Sequence, residues 1–390
     1  MSPQHSSSPS RQDVEINPAK AEAKFIPNKI VKDTLLVASF LGLAAIAGAT
    51  IGKADDVTVT DVNGFSVTLT EPSQRSAPLP PPLGTFAIAI PGDAAHLVTA
   101  HPWSKAVMMQ GSLAGYFPSL ADLPTGAVGG GFAPNIEELL ATDPDLVFQV
   151  GFIGDDVLAP IIAAGLPVLT INVTANDDAM DWIPMMGAAY GVEDRADWIL
   201  SWRKETLASI TQTLAGLGDE DRPTVAHLAR YGDALRGVGG GHFRSWQIEA
   251  MGGVNVASEV PLRSAEISAE QLIAWDPEII LLNAFQPDLM PQMVYDDPVL
   301  QSLAAVRERR VYAFPVGGDR WEAPVAESPL GGMWLSELLH PDRFRWDYTA
   351  EITAAHEMLY GQTPPPNAIG RMLKLDANQG STVYERFSAF

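Results

Sequence analysis

NIEELLATDPDLVF at residues 135–148 and SAEQLIAWDPEIIL at residues 268–281 are two copies of one pattern, offset by 133 positions (268 − 135). Both copies carry Glu, Leu, Ala and an Asp-Pro pair at equivalent positions, and Glu137 in the first copy corresponds to Glu270 in the second. Proline disfavours the helical conformation in the residue before it, so a helix in either copy ends at Asp-Pro. β-Forming residues follow at once. Each copy therefore predicts a helix, a turn and a strand.

The composition is that of an acidic globular protein. A chain of 390 residues has room for two domains, and 46% hydrophobic with 18% charged residues excludes a disordered chain. The net charge of −22, without a clustered Lys/Arg surface, argues against binding to nucleic acid or to anionic lipid. The absence of Cys excludes disulfides, thiolate metal sites and Cys nucleophiles.

The N-terminus predicts export. Residues 34–52, TLLVASFLGLAAIAGATIG, carry no charge and follow a polar leader that contains several lysines. This order is typical of a signal peptide, with cleavage expected near residue 49 or 54. An uncleaved membrane anchor is the alternative, because such a length just crosses a hydrocarbon core of ~30 Å. Both interpretations place residues 55–390 outside the cytoplasm, and we expect a periplasmic protein.

Short apolar runs alternate with helical stretches, which predicts mostly parallel sheets flanked by helices. Between Gly191 and Gly216 the alternation is interrupted by a stretch without Gly or Pro whose leucines follow helical spacing. A hairpin is expected around Asn63-Gly64, and a strand at Thr85–Ile90. We expect five parts: a signal peptide or anchor at 1–54, an α/β lobe at 55–190, a linking helix at 191–217, a second α/β lobe at 218–346 and a C-terminal helical segment at 347–390.

Three more segments carry a family resemblance: VTVTDVNGFSVTLTEPSQR (57–75), SLAAVRERRVYAFPVG (302–317) and MWLSELLHPDRF (333–344). Together with the two copies above, they resemble the ordered motifs of the substrate-binding proteins of ABC importers for iron–siderophore complexes, haem and cobalamin. The resemblance covers about residues 57–360. It implies an α/β fold with two mostly parallel-sheet lobes, joined by a single long helix, and a ligand cleft between the lobes.

The resemblance also implies a role for the paired glutamates. In that family one Glu on each lobe docks onto arginines of the membrane permease, and Glu137 and Glu270 fall on those positions. Such contacts give registry and association rate more than affinity. Without the resemblance, each would be an ordinary solvated acid near a helix N-terminus, where the helix dipole favours negative charge.

Two Gly-rich stretches, GAVGGGF (126–132) and GVGGGHF (237–243), are interpreted as loops at the cleft edge or as plain loop glycines. Neither completes the GxGxxG pattern of a dinucleotide site. Aromatic and Arg residues near them suit a macrocycle or catecholate and its anionic groups. The candidate ligand-binding residues are Trp103, Tyr116, Phe132, Phe152, Tyr231, His242, Arg244, Arg320 and Trp321.

The predicted function is capture of a metal chelate, such as a ferric siderophore, haem or a cobalamin-like molecule, and its delivery to an ABC importer permease in the inner membrane. The chelate, of iron or cobalt, is the ligand, and no resident cofactor, metal site or catalytic residue is predicted. The sequence lacks H-E-x-x-H and G-x-S-x-G, which argues against an enzyme. A membrane-anchored sensor with the same fold and a molybdate- or tungstate-type oxyanion binder are the alternatives. We expect a monomer whose lobes close only modestly on binding, because a helical strut bends little.

Overall fold

The computed structural model describes residues 56–388, apart from residues 130–131, 152–154, 175–176, 233, 262 and 287 and the side chain of residue 155. The predicted export segment at 1–54 and the candidate Phe152 lie outside the described residues. Within the described part of the chain, no helix is both long and apolar enough to cross a membrane.

The N-terminal lobe contains an antiparallel hairpin and a parallel three-stranded sheet with strand order β3-β4-β5. The predicted hairpin at Asn63-Gly64 is confirmed, and Gly64 adopts the positive φ of 84° that such a turn requires. The elements are β1 (Val57–Thr60), β2 (Ser66–Leu69), β3 (Ser76–Pro78), α1 (Leu83–Ala89), α2 (Pro102–Gln110), α3 (Leu113–Tyr116), α4 (Ile136–Ala141), β4 (Leu146–Val150), α5 (Asp155–Ala163) and β5 (Val168–Ile171).

The strand predicted at Thr85–Ile90 is wrong, because this segment lies in and just after helix α1. Every residue of α1 is buried, so the helix is apolar on all sides and shows no amphipathic period. A short apolar run of this kind does not distinguish a buried helix from a buried strand. The parallel strand of this region is instead β3, which precedes the proline cluster and ends with Pro78.

Two helices follow the N-terminal lobe: α6 (Ala179–Tyr190) and α7 (Glu193–Thr213). The long helix predicted between Gly191 and Gly216 is confirmed as α7. Gly191 ends α6 with φ 67°, the left-handed conformation that commonly terminates a helix. At 1.5 Å per residue, α7 is roughly 30 Å long, which is enough to connect two lobes.

The C-terminal lobe has a six-stranded sheet in which β11-β10-β6-β7-β9 are neighbours in that order and β8 also pairs with β6. Strands β6, β8, β10 and β11 are parallel to one another, whereas β7 pairs antiparallel with both of its neighbours, β6 and β9. The elements are β6 (Thr224–Arg230), β7 (Arg236–Val238), α8 (Phe243–Ala250), β8 (Val254–Asn255), β9 (Ser264–Glu266), α9 (Ala269–Trp275), β10 (Ile279–Leu282), α10 (Pro291–Tyr295), α11 (Ala304–Arg307), β11 (Val311–Ala313) and α12 (Ser328–Leu339).

The two copies of the repeated pattern fold alike, as α4–β4 and α9–β10. Asp143 and Asp276, the Asp of each Asp-Pro pair, both adopt positive φ, at 49° and 40°. The acids that follow the prolines also match, because Asp145 accepts from the backbone N–H groups of residues 74 and 75, and Glu278 accepts from that of Thr224. Each acid thus fixes the start of the neighbouring parallel strand. The predicted helix–turn–strand unit is confirmed in both lobes.

The C-terminal segment contains α13 (Tyr348–Tyr360), α14 (Pro366–Met372) and α15 (Leu375–Asn378). Helix α13 packs against α1 of the N-terminal lobe, and α15 packs against β11 of the C-terminal lobe. Arg195 on α7 donates to the carbonyl oxygens of Ile90, Met358 and Leu359, so it holds the C-terminal ends of α1 and α13 together. The segment therefore connects the lobes a second time.

The main apolar core is continuous between the lobes. It includes residues of both sheets together with Ile199, Trp202 and Ile210 of α7 and most of the apolar residues of α12. Two smaller clusters cover the outer faces of the sheets. Because packed interiors resist deformation, a shared core favours lobes that move little relative to each other.

Candidate functional site

In open α/β sheets, ligands bind outside the carboxyl ends of the parallel strands. At this edge the loop after β10 meets the start of α2, and the loop after β11 meets α1 and the segment that follows α2. Ser112 N–H donates to the Gly317 carbonyl at 3.0 Å, and Thr85 Oγ1 lies 3.4 Å from Asp319 Oδ2. These contacts join the two lobes along the margin of the candidate cleft.

Exposed aromatic rings meet across this margin. Trp103 is 57% exposed and Phe285 is 43% exposed, and their ring centroids lie 6.0 Å apart in an edge-to-face arrangement. His101 lies beside both Trp103 and Phe132, with ring centroids at 5.1 and 5.6 Å. Large rings left this open to solvent in a junction between lobes form an apolar contact surface for a ligand.

The C-terminal lobe adds two buried arginines to the aromatic surface. The Arg320 guanidinium lies 3.2 Å from the Phe285 ring centroid, and that of Arg244 lies 5.9 Å from the same centroid. Arg244 Nη2 donates to Glu322 Oε1 at 3.1 Å, and the fully buried Glu322 also accepts from Ala284 N–H. Burial lowers the pKa of Arg244 to about 10, Glu322 opposes that shift, and the guanidinium stays charged at neutral pH.

Several donor atoms of these arginines have no acceptor. Among the described residues, none accepts a hydrogen bond from Arg244 Nε, Arg320 Nε or Arg320 Nη1. The nearest acid to Arg320, Asp319, is 3.7 Å from its Nε, which is an ion-pair distance. A buried donor without a partner costs about 1–3 kcal/mol, so these groups are suited to an acceptor supplied by an anionic ligand.

Glu327 fixes the loop that carries Arg320. Its fully buried carboxylate accepts from Gly318 N–H, from Trp321 Nε1 at 2.6 Å and from the Tyr360 hydroxyl at 2.7 Å. A Cβ atom at Gly317 would collide with this carboxylate, so glycine is required for the close approach. These hydrogen bonds fix the loop on its core side, and Arg320 lies on the side of the loop that faces the cleft.

The histidines of the site are neutral at physiological pH. His101 Nδ1 accepts from Trp103 N–H at the start of α2, and His242 Nδ1 accepts from Arg244 N–H at the start of α8. Burial lowers the pKa of His101, and burial with the nearby Arg244 and Arg263 lowers the pKa of His242 to about 2. Burial, Arg244 and His242 hold the pKa of His227 well below its usual value. Each capping histidine orients the residue two positions later.

Five of the predicted ligand residues lie in or beside this junction: Trp103, Phe132, His242, Arg244 and Arg320. Trp321 does not line it, because its ring is fully buried and its Nε1 donates to Glu327. The Tyr116 hydroxyl hydrogen-bonds His356 Nδ1 at 2.9 Å, and that of Tyr231 donates to Asp297. Both tyrosines therefore point their polar ends at protein partners. Proximity to a cleft loop in the sequence does not determine whether a side chain points into the cleft or into the protein core.

Sequence reasoning missed Phe285 and Glu322. Phe285 lies a few residues after the second copy of the repeated pattern, just beyond the carboxyl end of the buried strand β10. Because ligands bind at that end of parallel strands, its position in the sequence could have identified it as a candidate. Glu322 lies within the stretch GGDRWEAP, where an acid between two candidate ligand residues gave no sign of its burial.

A cavity of about 520 Å³ opens beside Arg320, between α2 and the C-terminal segment. Lys374, at the start of α15, and Arg371, at the end of α14, line its outer side. Within the described residues, no group of three or more His, Asp or Glu side chains is arranged to hold a metal ion.

Glu137 and Glu270 lie on exposed first turns, of α4 and α9. The N-cap residues match, because the Asn135 side chain accepts from Glu138 N–H and that of Ser268 accepts from Gln271 N–H. Hydrogen bonding to its own backbone and to Ser268 lowers the pKa of Glu270. The two glutamates thus occupy equivalent surface positions, one on each lobe.

Comparisons with known proteins agree with this architecture. The family model described as periplasmic binding protein matches residues 119–316. The molybdate-binding protein MolA of Haemophilus influenzae is 24% identical over 232 residues, which cover 54% of this chain and 65% of that protein, just under two thirds of its length. The cobalamin-binding protein of Halobacterium salinarum is 23% identical over 302 residues, covering 69% of this chain and 81% of that protein. A periplasmic solute binding protein from Veillonella parvula has a TM-score of 0.76 at 26% identity, covering 83% of this chain and 99% of that one.

Proposed function

Because the chain belongs to the periplasmic binding protein family, we propose that it is the solute-binding component of an ABC importer and that its solute is an anionic metal chelate. The family consists of solute-binding proteins rather than enzymes, and no catalytic step is assigned to this chain. The chelate is of the ferric siderophore, haem or cobalamin type, held between the lobes and released to the permease.

One observation carries the choice of solute: buried arginines with unpaired N–H groups lie directly against exposed aromatic rings. Arg320 and Arg244 offer charged donors, and Trp103 and Phe285 offer flat apolar faces. A metal chelate combines these two needs, since its organic ligand stacks on aromatic rings while its anionic groups accept hydrogen bonds from guanidinium. The adjoining cavity of about 520 Å³ is within the usual range for small-molecule sites, about 300–1,000 Å³.

A compact oxyanion of the molybdate type is the second candidate. Arg244 and Arg320 are only 5% exposed each, and a small tetrahedral anion reaches such buried donors more easily than a bulky chelate does. The similarity to MolA, a molybdate-binding protein in Haemophilus influenzae, supports this alternative.

Delivery to the permease would use Glu137 and Glu270. Their exposure and equivalent positions on the two lobes support docking onto paired basic residues, which sense how the lobes are held. We place the protein in the periplasm as a monomer, exported by residues 1–54 and either released by cleavage or anchored by residues 34–52. If it is a membrane-anchored sensor instead, N-terminal sequencing of the mature protein will show no cleavage near residue 49 or 54.

A thermal-shift screen tests the proposed solute. The protein recovered from exporting cells is heated with a ferric siderophore, haem, cobalamin or molybdate. A ligand at 100 times its Kd stabilises the folded state by about 2.7 kcal/mol, which raises the midpoint measurably. A shift with a metal chelate supports the proposal, and a shift with molybdate alone supports the oxyanion candidate. No shift with any of the four would contradict both.

A further inference from the structure

The cavity beside Arg320 has a charge opposite to that of the protein as a whole. Its charged lining residues are three cations, Arg320, Arg371 and Lys374, and one acid, Asp376, whereas the chain as a whole carries a net charge of −22. Residues 56–388 contain only three lysines, and one of them is in this lining. A positive cleft in an acidic protein concentrates anions locally.

Lys374 is held at the cavity in an unusual backbone conformation. It precedes α15 with φ 55° and ψ 39°, in the left-handed region that a residue with a Cβ atom rarely adopts. Such strained conformations cluster at functional sites. Its side chain is half-buried, and burial lowers the pKa of its ammonium group while Glu322 opposes that shift.

Acidic residues neutralise the cations of the cavity only in part. No ion pair joins Lys374 or Arg371 to a described residue, and Arg320 keeps two buried donor atoms without acceptors. Cations that line one cavity repel each other, and a bound anion would offset that repulsion. The lining also includes Val107, Ala284 and Met290, which give an apolar wall beside the charged one.

We propose that this cavity is the subsite for an anionic arm of the solute, a carboxylate or similar oxyanionic group, and that Lys374 and Arg371 determine specificity for anionic over neutral or cationic solutes. The inference rests on the proposed function and extends it by assigning a binding role to the C-terminal segment. Residues of α2, of the loops after β10 and β11 and of the C-terminal segment all line the cavity. A solute bound there would contact both lobes and the C-terminal segment at once.

The test uses two iron(III) chelates of opposite charge. Iron(III) citrate is anionic and carries carboxylates, and ferrioxamine B is a cationic hydroxamate chelate. Binding of each is measured by isothermal titration calorimetry for wild type, Lys374→Gln, Arg371→Gln, the double variant and Lys374→Arg. Lys204→Gln, on the exposed surface of α7, is the matched control. Melting temperatures of all variants confirm that they fold.

We expect wild type to bind iron(III) citrate and to bind ferrioxamine B at least tenfold more weakly. The expected Kd for citrate rises about tenfold in Lys374→Gln and further in the double variant, while Lys374→Arg and Lys204→Gln stay near wild type. If the double variant binds iron(III) citrate with an affinity within twofold of wild type, the anionic subsite is rejected and the proposed function is retained. Preference of wild type for ferrioxamine B or for cobalamin, over the anion, would also overturn the subsite. Wild type that binds no iron chelate, haem, cobalamin or molybdate would overturn the proposed function as well.

Discussion

The two lobes begin their cleft helices in the same way and present different chemistry. In the N-terminal lobe, neutral His101 caps α2 and orients Trp103, an exposed ring. In the C-terminal lobe, neutral His242 caps α8 and orients Arg244, a buried cation. The N-terminal lobe therefore contributes an uncharged aromatic ring, whereas the C-terminal lobe contributes charge together with the exposed Phe285 ring. This difference is consistent with the proposed solute, which has a flat organic face and an anionic face.

On the outer surface the lobes are instead alike. Glu137 and Glu270 lie on equivalent exposed first turns, each preceded by a capping polar residue. The proposed function therefore assigns the molecule a symmetric docking face and an asymmetric cleft. Substitutions at corresponding positions of the two lobes can distinguish permease docking from solute binding.

The largest expected effect is on the docking face. The double charge reversal Glu137→Arg with Glu270→Arg should reduce solute uptake by intact cells to background, because the arginines that replace both rim carboxylates would repel basic residues of the permease. The two single reversals should reduce uptake by similar amounts, because the two glutamates occupy equivalent positions on the lobes. Solute affinity, measured by calorimetry, should not change.

The matched control for docking is Glu71→Arg with Glu308→Arg, which reverses one exposed acid on each lobe outside helices α4 and α9. It should leave uptake near wild type. Loss of solute binding in the Glu137/Glu270 variant, or equal loss of uptake in the control, would reject the docking role.

The cleft should respond asymmetrically. Arg320→Gln removes charged donors that are buried against Phe285, and we expect about a 100-fold loss of affinity for an anionic chelate. Trp103→Ala removes an exposed ring and should cost only about fivefold. Arg307→Gln and Trp198→Ala, both exposed and outside the cleft, are the controls. Equal losses from Arg320→Gln and Trp103→Ala would contradict the division between the lobes.

The buried charge of the C-terminal lobe also has a stability cost. Burial raises the pKa of Asp319 from 3.8 to about 6, with Arg320 opposing the shift. A raised carboxyl pKa means that the folded state binds the proton more tightly, so this contribution is fully present below pH 3.8 and is lost as pH rises through about 6. Asp319→Asn should therefore stabilise the protein by about 2 kcal/mol at pH 7.5 and by much less at pH 4.5.

Urea denaturation of wild type and Asp319→Asn at both pH values measures this difference. Exposed Asp342→Asn provides the control and should show no such pH dependence. A variant equally stable to wild type at pH 7.5 would show that Asp319 carries no penalty in the folded state.

The smallest expected effect is on overall shape. The shared core and the second connection through α13 hold the lobes together, and buried Arg203 on α7 bridges Asp177 of one side to Ser328 of the other. Small-angle scattering profiles with and without bound solute should nearly coincide. A large compaction on binding would indicate that this connection opens in the free protein.

Much of this fold could be predicted from local signals. Asn63-Gly64 predicted its hairpin, and the two Asp-Pro pairs predicted where their helices end, because these residues restrict the backbone by themselves. Helix α1 could not be predicted, since burial on all sides leaves an apolar run without a period. The site depends on contacts between distant segments. Trp321 and Arg320 are neighbours in sequence, and only packing against Glu327 decides that one faces the core and the other the cleft.

In the proposed complex, an anionic metal chelate lies between Trp103 of the N-terminal lobe and the Phe285 ring and arginines of the C-terminal lobe. Anomalous diffraction at the iron edge, from crystals of the protein grown with iron(III) citrate, tests this placement directly. We expect one strong iron peak in the junction bounded by Trp103, Phe285 and Arg320. An iron peak on the outer surface, or a junction that stays closed by Trp103 and Phe285 while iron binds elsewhere, would contradict it.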